Sequence, residues 1–217
     1  MNSLPTIYFI SGLGADERAF QFLDLSFCKP VYVDWIKPLP GEHISHYSVR
    51  LREQITEEGP VIVGLSFGGM VAVEIARQFP VKKLILLSSA KSAKEIPFYI
   101  KWLRYLPLHK IISFSLLKRA NHSVYRLMGI EKRKDKIIFR EMLNSSDGNF
   151  MKWAVGQIAN WRNNDVLTNA VHIHGTADIL LPLKYIDADY LIEGGEHLMV
   201  MTKAETISGL LQRITLQ

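Results

Sequence analysis

The sequence contains a single cysteine, Cys28, among its 217 residues. One thiol excludes an intrachain disulfide and a zinc site built from several cysteines. Long apolar runs are also missing, because none approaches the ~20 residues that a membrane-spanning helix requires. The first residues lack the basic and apolar regions of a signal peptide. We therefore expect a cytoplasmic protein with no integral membrane association.

Extremes of composition are absent as well. Hydrophobic residues make up 48% of the chain and charged residues 22%, and both values are ordinary for a globular protein. This composition excludes disordered and collagen-like classes. A chain of this length fits one domain, residues 1–217, with a core of ordinary size.

The net charge of +5 is unevenly distributed. Residues 91–160 contain 14 Lys or Arg and 5 Asp or Glu, and the rest of the chain has an acidic excess. A basic segment favours anionic ligands or a membrane surface, but Lys and Arg also suit any solvated helical face. Because no helix-turn-helix, basic zipper or RNA-binding motif is present, we expect no nucleic-acid partner.

Short apolar runs rich in β-branched residues recur along the chain, at 7–11, 31–35, 61–65, 84–88, 171–174 and 190–192. Nearly continuous apolar character is typical of strands buried on both faces of a parallel sheet. Helical patterns separate several of these runs, and the clearest one covers 67–79 and ends before Pro80. The alternation predicts an α/β fold with a mostly parallel sheet of about six strands and flanking helices.

One stretch, residues 91–163, breaks this alternation. It contains no convincing strand, and helical patterns cover 97–106, 108–120, 123–128, 131–143 and 149–161. We expect a helical insertion after the fourth strand. The aromatic residues of this segment are candidates for the wall of an apolar pocket, although aromatics at helical spacing more often fill a core; those considered are Phe98, Trp102, Trp153 and Trp161.

The strongest chemical signal is the sequence GLSFG at 64–68, which follows one predicted strand and opens the clearest predicted helix. This is the G-x-S-x-G pattern in the strand–turn–helix context that it requires. Side chains at Gly64 and Gly68 would collide with neighbouring backbone, and Ser66 would lie at a helix N-terminus, where free N–H groups favour a developing oxyanion. We predict that Ser66 is a nucleophile; the alternative is a serine that merely caps the helix.

A serine nucleophile needs a base, and the base needs an acid that orients it. The segment HGTAD at 174–178 follows the fifth predicted strand and ends in Asp178, and GGEH at 194–197 follows the sixth and ends in His197. Ligands of open α/β sheets bind at this carboxyl edge. Glu193 and Glu196 flank His197 and are the reserve candidates for the acid.

These three segments, in the order Ser66, Asp178, His197, resemble the motifs of the α/β-hydrolase superfamily over nearly the whole chain. The resemblance implies strand order 2-1-3-4-5-6, a helical cap at 91–163, and acid and base roles for Asp178 and His197. It also implies a small member, since the first strand here corresponds to the third strand of the family.

The oxyanion hole is implied in the same way. The family usually has a His-Gly pair after this strand, and the residue that follows the glycine lends its backbone N–H. Here Ser11 and Gly12 stand at those positions, so the donors are expected to be Leu13 and, after the nucleophile, Phe67. An ordinary strand-to-helix turn is the alternative explanation of Gly12 and Gly14.

Other site types fit the sequence poorly. The segment at 12–17 lacks the third glycine of a dinucleotide loop, and 64–69 lacks the lysine of a P-loop. His172 and His174 have the spacing of a metal pair on a strand, but no further ligand lies nearby, so we expect buried, hydrogen-bonded histidines. The sequence therefore predicts no cofactor and no metal.

The function expected from these residues is hydrolysis of a carboxylic ester or related acyl bond through an acyl-enzyme, on a small-molecule substrate with an apolar portion. Because the insertion is basic, a substrate ester that carries an anionic group remains open as an alternative. Other reactions of the same triad also remain open: thioester hydrolysis, C–C bond cleavage, acyl transfer or lyase chemistry. A ligand-binding receptor that retains the pocket is the alternative outside catalysis.

Overall fold

The computed structural model of the protein describes residues 4–105, 121–165 and 167–216. Its centre is a six-stranded sheet in which every neighbouring pair of strands is parallel. The strand order is β2-β1-β3-β4-β5-β6, which confirms the predicted order. The strands are β1 (Thr6–Ile10), β2 (Lys29–Val33), β3 (Val61–Leu65), β4 (Lys83–Leu87), β5 (Ala170–Gly175) and β6 (Tyr190–Ile192).

The central strands explain why the apolar runs are continuous and not alternating. Every residue of β3 is buried, and so are the last four residues of β4. Helices cover both faces of a parallel sheet, so both sets of side chains need to be apolar. The edge strands β2 and β6 are more exposed.

Strand β2 ends two residues earlier than the predicted run, which extends to Trp35. The backbone N–H of Asp34 donates to Gln54 Oε1 at 2.9 Å, and the carbonyl of Asp34 accepts from Gln54 Nε2 at 2.8 Å. The Gln54 side chain therefore takes the hydrogen bonds of the residue that would continue the strand.

Helices flank the sheet and also lie in the described parts of the long connection between β4 and β5. They are α1 (Ile44–Leu51), α2 (Phe67–Gln78), α3 (Phe98–Lys101), α4 (His122–Met128), α5 (Arg133–Ser145), α6 (Gly148–Asn160), α7 (Met199–Thr202) and α8 (Ala204–Leu216). Short 3-10 segments lie at Glu17–Phe20, Arg52–Gln54, Ala93–Glu95, Trp102–Arg104 and Leu183–Tyr185. Among the described residues, no helix combines the length and the apolar character needed to span a bilayer.

The predicted helices of the 91–163 segment agree well with the structure wherever it describes them. Helices α4, α5 and α6 match the predictions at 123–128, 131–143 and 149–161 to within two residues at each end. The prediction at 97–106 corresponds to α3 and the 3-10 turn that follows it. The prediction at 108–120 lies outside the described residues.

The two ends of this connection meet. The backbone N–H of Ala93 donates to the carbonyl oxygen of Asn163 at 2.6 Å. The chain therefore leaves the sheet region after β4 and returns to it at the same place before β5. Helices α3 to α6 all lie between these two points in the sequence.

Candidate active site

Ser66 lies in a sharp turn between β3 and α2. Its backbone has φ 52° and ψ −119°, a left-handed conformation that is strained for a residue with a side chain. A Cβ atom on Gly64 would lie 2.5 Å from Cα of Gly69, and one on Gly68 would overlap the carbonyl oxygen of Ser11. The turn can therefore form only with glycines at these two positions, as the motif predicts.

Neighbouring groups hold the strained turn in place. The Ser66 N–H donates to the carbonyl of Leu87 at 2.9 Å, which fixes the turn to the end of β4. The Ser66 carbonyl accepts from Ser89 Oγ at 2.6 Å. Sequence reasoning missed Ser89, because no motif marks a serine that serves another residue's backbone 23 positions away.

The structure brings Ser66, His197 and Asp178 together. Ser66 Oγ lies 2.9 Å from His197 Nε2, and His197 Nδ1 lies 2.8 Å from Asp178 Oδ2. With Nδ1–H donating to the carboxylate, Nε2 is free to accept from the serine hydroxyl. His197 and Asp178 are each 3% exposed, so bulk water has little access to these bonds.

The loops after β5 and β6 carry Asp178 and His197, and they pack closely against each other. A Cβ atom on Gly175 would overlap the carbonyl oxygen of Gly195. The N–H of Ala177 donates to that same carbonyl at 2.9 Å. Glycine at 175 therefore permits the approach that brings the two polar side chains together.

Asp178 is held as a carboxylate. Its Oδ1 accepts from the backbone N–H groups of Leu180 and Leu181, each at 2.9 Å. Burial raises the pKa of Asp178, but the charge and hydrogen bond of His197, together with the backbone bonds, outweigh burial and leave the pKa below its usual range. The reserve candidate Glu193 is exposed, and Glu196 packs over Gly129, so the structure places neither on His197.

Two further histidines, His172 and His174, lie on β5, the strand that leads to Asp178. His174 is fully buried, and its Nε2 lies 2.8 Å from the carbonyl oxygen of Leu181 and 3.6 Å from Asp178 Oδ2. His172 is equally buried; among the described residues no group forms a well-aligned hydrogen bond with either ring nitrogen, although a backbone group of Asp187 is close enough to raise its pKa. The prediction of buried, hydrogen-bonded strand histidines is therefore confirmed for His174, and its burial alone is confirmed for His172. Within the described residues, no group of three or more His, Cys, Asp or Glu side chains is arranged so that it could hold a metal ion.

The turn after β1 lies beside the serine. A Cβ atom on Gly12 would be 3.4 Å from Cβ of Ser66, and the N–H of Ala15 closes the turn on the Gly12 carbonyl at 3.1 Å. In the part of the chain that the structure describes, neither the Leu13 N–H nor the Phe67 N–H donates a hydrogen bond. Both residues line the same cavity as Ser66.

That cavity has a volume of about 220 Å³ and is almost entirely apolar. Its apolar lining residues are Leu13, Phe67, Met70, Ala90, Ile96, Ile100, Leu103, Val155, Ile158, Leu180 and Leu181, and its polar ones are Ser66, Ser89 and His197. Among these described residues there is no Asp, Glu, Lys or Arg. The 91–163 segment thus contributes aliphatic side chains to the wall, and none of its four candidate aromatics lines this cavity.

Comparison with solved structures gives full-length matches at low identity. One is a lipase-esterase related protein from Clostridium acetobutylicum, with 16% identity, a TM-score of 0.72, and coverage of 98% of this chain and 95% of that one. An enol-lactonase from Burkholderia xenovorans has 14% identity, a TM-score of 0.70, and coverage of 100% and 93%. A bromoperoxidase from Bacillus anthracis has 13% identity, a TM-score of 0.68, and coverage of 100% and 93%.

No family model matches the sequence, and no curated protein does. At identities this low, structural similarity establishes the fold and leaves the reaction open. The names of the three solved proteins cover different reactions, which illustrates that point. The parallel sheet, its strand order and these full-length matches lead to one conclusion: the chain has the α/β-hydrolase fold.

Proposed function

We propose that the chain is a serine hydrolase that cleaves a carboxylic ester or a related acyl bond. The observation that carries this proposal is the continuous hydrogen-bond chain from Ser66 through His197 to Asp178, with distances of 2.9 and 2.8 Å. A serine hydroxyl is a weak nucleophile until an adjacent base accepts its proton. An oriented imidazole next to a buried carboxylate supplies such a base.

The reaction follows from the positions of these three groups. His197 Nε2 takes the proton of Ser66 as Oγ bonds to the substrate carbonyl carbon. The resulting imidazolium gives that proton to the leaving oxygen as the bond between carbonyl carbon and leaving group breaks, and an acyl-enzyme remains. His197 then deprotonates a water molecule, which attacks the acyl carbon, and the proton returns to Ser66 Oγ as the acid leaves. Asp178 stabilises the imidazolium throughout.

The backbone N–H groups of Leu13 and Phe67 are the proposed donors to the oxyanion of the tetrahedral intermediate. Neither N–H has an acceptor among the described residues, and both residues share a cavity with Ser66; these two observations support the role. A donor of this kind is typically worth about 3 kcal/mol of barrier.

Residues 91–163 are proposed to form a cap on a single domain that spans residues 1–217. The hydrogen bond between Ala93 and Asn163 supports an insertion with closely spaced ends. Ile100 from α3 and Val155 from α6 lie in the wall of the cavity that contains Ser66. The cap would therefore help to shape the substrate pocket.

The lining of the cavity favours a small-molecule substrate whose buried part is neutral and apolar. A charged substrate group would lose its hydration there without a partner. The basic insertion left open an ester with an anionic group as the substrate, but the lining of this cavity gives that alternative no support.

The single buried thiol of Cys28 agrees with the expected cytoplasmic location.

Hydrolysis of p-nitrophenyl esters of increasing acyl length tests the proposal, with wild type and Ser66→Ala measured side by side. We expect turnover by wild type and a loss of about 10⁴- to 10⁶-fold in Ser66→Ala. Equal rates for the two proteins would overturn the proposal.

Labelling with a fluorophosphonate separates two kinds of failure, because it reports nucleophilicity without the correct substrate. The Ser66→Ala variant should lose the label, while Ser145→Ala, which removes a serine outside this cavity, should keep it. Labelling of Ser66 without hydrolysis of any ester would reject ester cleavage but keep a reactive serine. No labelling at all would favour a receptor.

A further inference from the structure

The segment at 98–104, formed by α3 and the 3-10 turn after it, has two different faces. Ile100 and Leu103 lie in the wall of the cavity next to Ser66. Residues three or four positions apart in a helix share a face, so these two side chains form one stripe. The opposite stripe therefore lies away from the cavity.

That opposite stripe is aromatic and exposed. Phe98, Trp102 and Tyr105 are spaced by four and three residues, and they are 61%, 61% and 74% exposed. We call these three residues the aromatic patch. Clusters of exposed large apolar side chains are rare on monomeric proteins and mark interaction surfaces. Trp and Tyr in particular are enriched at the boundary between water and a membrane, where an apolar ring and a polar group meet different surroundings.

The charged side chains that alternate with the patch in the sequence are of one sign. Lys101 and Arg104 lie between its three residues in the sequence, and the Arg104 guanidinium lies 5.6 Å from the Tyr105 ring centre. The described residues from Ile96 to Tyr105 contain no Asp or Glu. The preceding acid, Glu95, is buried and accepts from the backbone N–H of Lys91 and of Asp187, so it does not offset this charge at the surface.

We propose that the aromatic patch docks on the surface of an anionic lipid bilayer. Exposed rings next to basic side chains are the combination that such a surface attracts, since the rings enter the headgroup region and the cations neutralise anionic lipids. A second copy of the chain fits less well, because symmetric contact through this patch would bring Lys101 and Arg104 against their own counterparts. Docking through 98–104 would also bring the cavity wall, on the other face of the same segment, close to the lipid.

Cosedimentation with vesicles tests this proposal. The Ser66→Ala protein is mixed with vesicles of phosphatidylcholine alone or of an equimolar mixture of phosphatidylcholine and phosphatidylglycerol. We expect binding to the mixed vesicles, little binding to phosphatidylcholine, and weaker binding as salt is added. Because this assay needs no turnover, its outcome is independent of the proposed hydrolase activity.

Two sets of substitutions locate the contact. Changing Phe98, Trp102 and Tyr105 together to serine should weaken binding at least about tenfold, and Lys101→Gln or Arg104→Gln should weaken it about fivefold each. Leu191→Ser and Lys29→Gln are matched controls: Leu191 is 54% exposed on the edge strand β6, and Lys29 is exposed on the other edge strand, β2. Both controls should bind like the parent protein.

Circular dichroism and thermal unfolding establish that each variant is folded. Three results would overturn the proposal: no binding to the mixed vesicles, equal binding to both kinds of vesicle, or unchanged binding after loss of the aromatic patch. A dimer that becomes a monomer when the patch is changed to serine would assign this surface to self-association instead.

Discussion

The imidazole Nε2 of His174 donates a hydrogen bond to the carbonyl oxygen of Leu181 at 2.8 Å. A carbonyl can only accept, so His174 carries its proton on Nε2. The N–H of Leu181 in turn donates to Asp178 Oδ1, and the His174 Nε2 lies 3.6 Å from Asp178 Oδ2. From this location His174 can hold the Asp178 carboxylate in position without contacting the substrate.

We predict that His174→Leu lowers kcat/KM about 10- to 100-fold, because a small displacement of Asp178 misorients His197. His174→Gln, which retains an amide N–H at a comparable reach, should recover most of this loss. Recovery by glutamine is the readout that a purely structural role of His174 would not give.

His172→Leu is the matched control for this prediction. His172 lies on the same strand and is just as buried, but among the described residues its ring forms no hydrogen bond to the loop that carries Asp178. Its loss should leave kcat/KM close to that of wild type. If both leucine variants lower the melting temperature and neither lowers kcat/KM, His174 contributes to folding and does not position Asp178.

The ring of His172 gives a separate prediction for stability. Burial, with smaller contributions from His174 and Lys91, holds the pKa of His172 well below its ordinary value. Below about pH 6.5 the unfolded chain therefore binds a proton at this residue that the folded chain does not. The free energy of unfolding should fall with decreasing pH there, by up to about 1.4 kcal/mol per pH unit for this one group.

His172→Leu should therefore reduce the loss of stability between about pH 7 and pH 5. Urea unfolding of wild type and variant at several pH values in this window measures the difference. His174 also has a lowered pKa and remains in the variant, so part of the acid destabilisation in this window should persist. A variant whose stability falls as steeply as that of wild type would contradict the prediction.

The sequence predicts the turn at Ser66 well because every signal for it is local. A strand, two obligatory glycines and a helix start lie within a few residues, and the structure has all of them in the expected places. The roles of Ser89 and His174 could not be predicted in this way. Each donates to a backbone carbonyl whose position depends on how separate strands pack, and a single sequence gives no measure of that packing.

The residues that line the cavity could not be predicted from the sequence either. The sequence pointed to the large aromatics of the 91–163 segment, but Trp153 donates to the Glu42 carbonyl, and Phe98 and Trp102 face solvent. Smaller aliphatic side chains such as Ile100 and Val155 line the cavity instead. Helical spacing defines which residues share a face, but not which face turns toward the site.

Asp178→Asn tests the charge of the acid with little change of shape. The amide oxygen can still accept the N–H groups of Leu180 and Leu181, so we expect the variant to fold. The amide N–H₂ would face His197 Nδ1 and favour the wrong tautomer, with Nε2 protonated and unable to accept from Ser66. We predict a fall in kcat of about 10⁴-fold. A fall of less than about tenfold would argue against the proposed role of Asp178.

Glu74 and Trp161 connect the helix that follows the nucleophile to the end of the 91–163 segment. Trp161 Nε1 donates to Glu74 Oε1 at 2.7 Å, and each residue is only 2% exposed. Trp161→Phe would leave a buried carboxylate with one donor fewer, so we expect it to cost about 1–3 kcal/mol of unfolding free energy. Glu74→Leu would in turn leave the indole N–H without a partner.

A double-mutant cycle on this pair distinguishes a specific bond from general packing. If the bond matters, Glu74→Leu and Trp161→Phe together should cost less than the sum of the two single changes, by about 1 kcal/mol or more. Trp153→Phe is the matched control, because Trp153 lies on α6, the helix that ends directly before Trp161, and its indole donates to the Glu42 carbonyl instead. That control should combine additively with Glu74→Leu. Additive costs for Glu74 and Trp161 themselves would mean that each side chain stabilises the junction through packing alone.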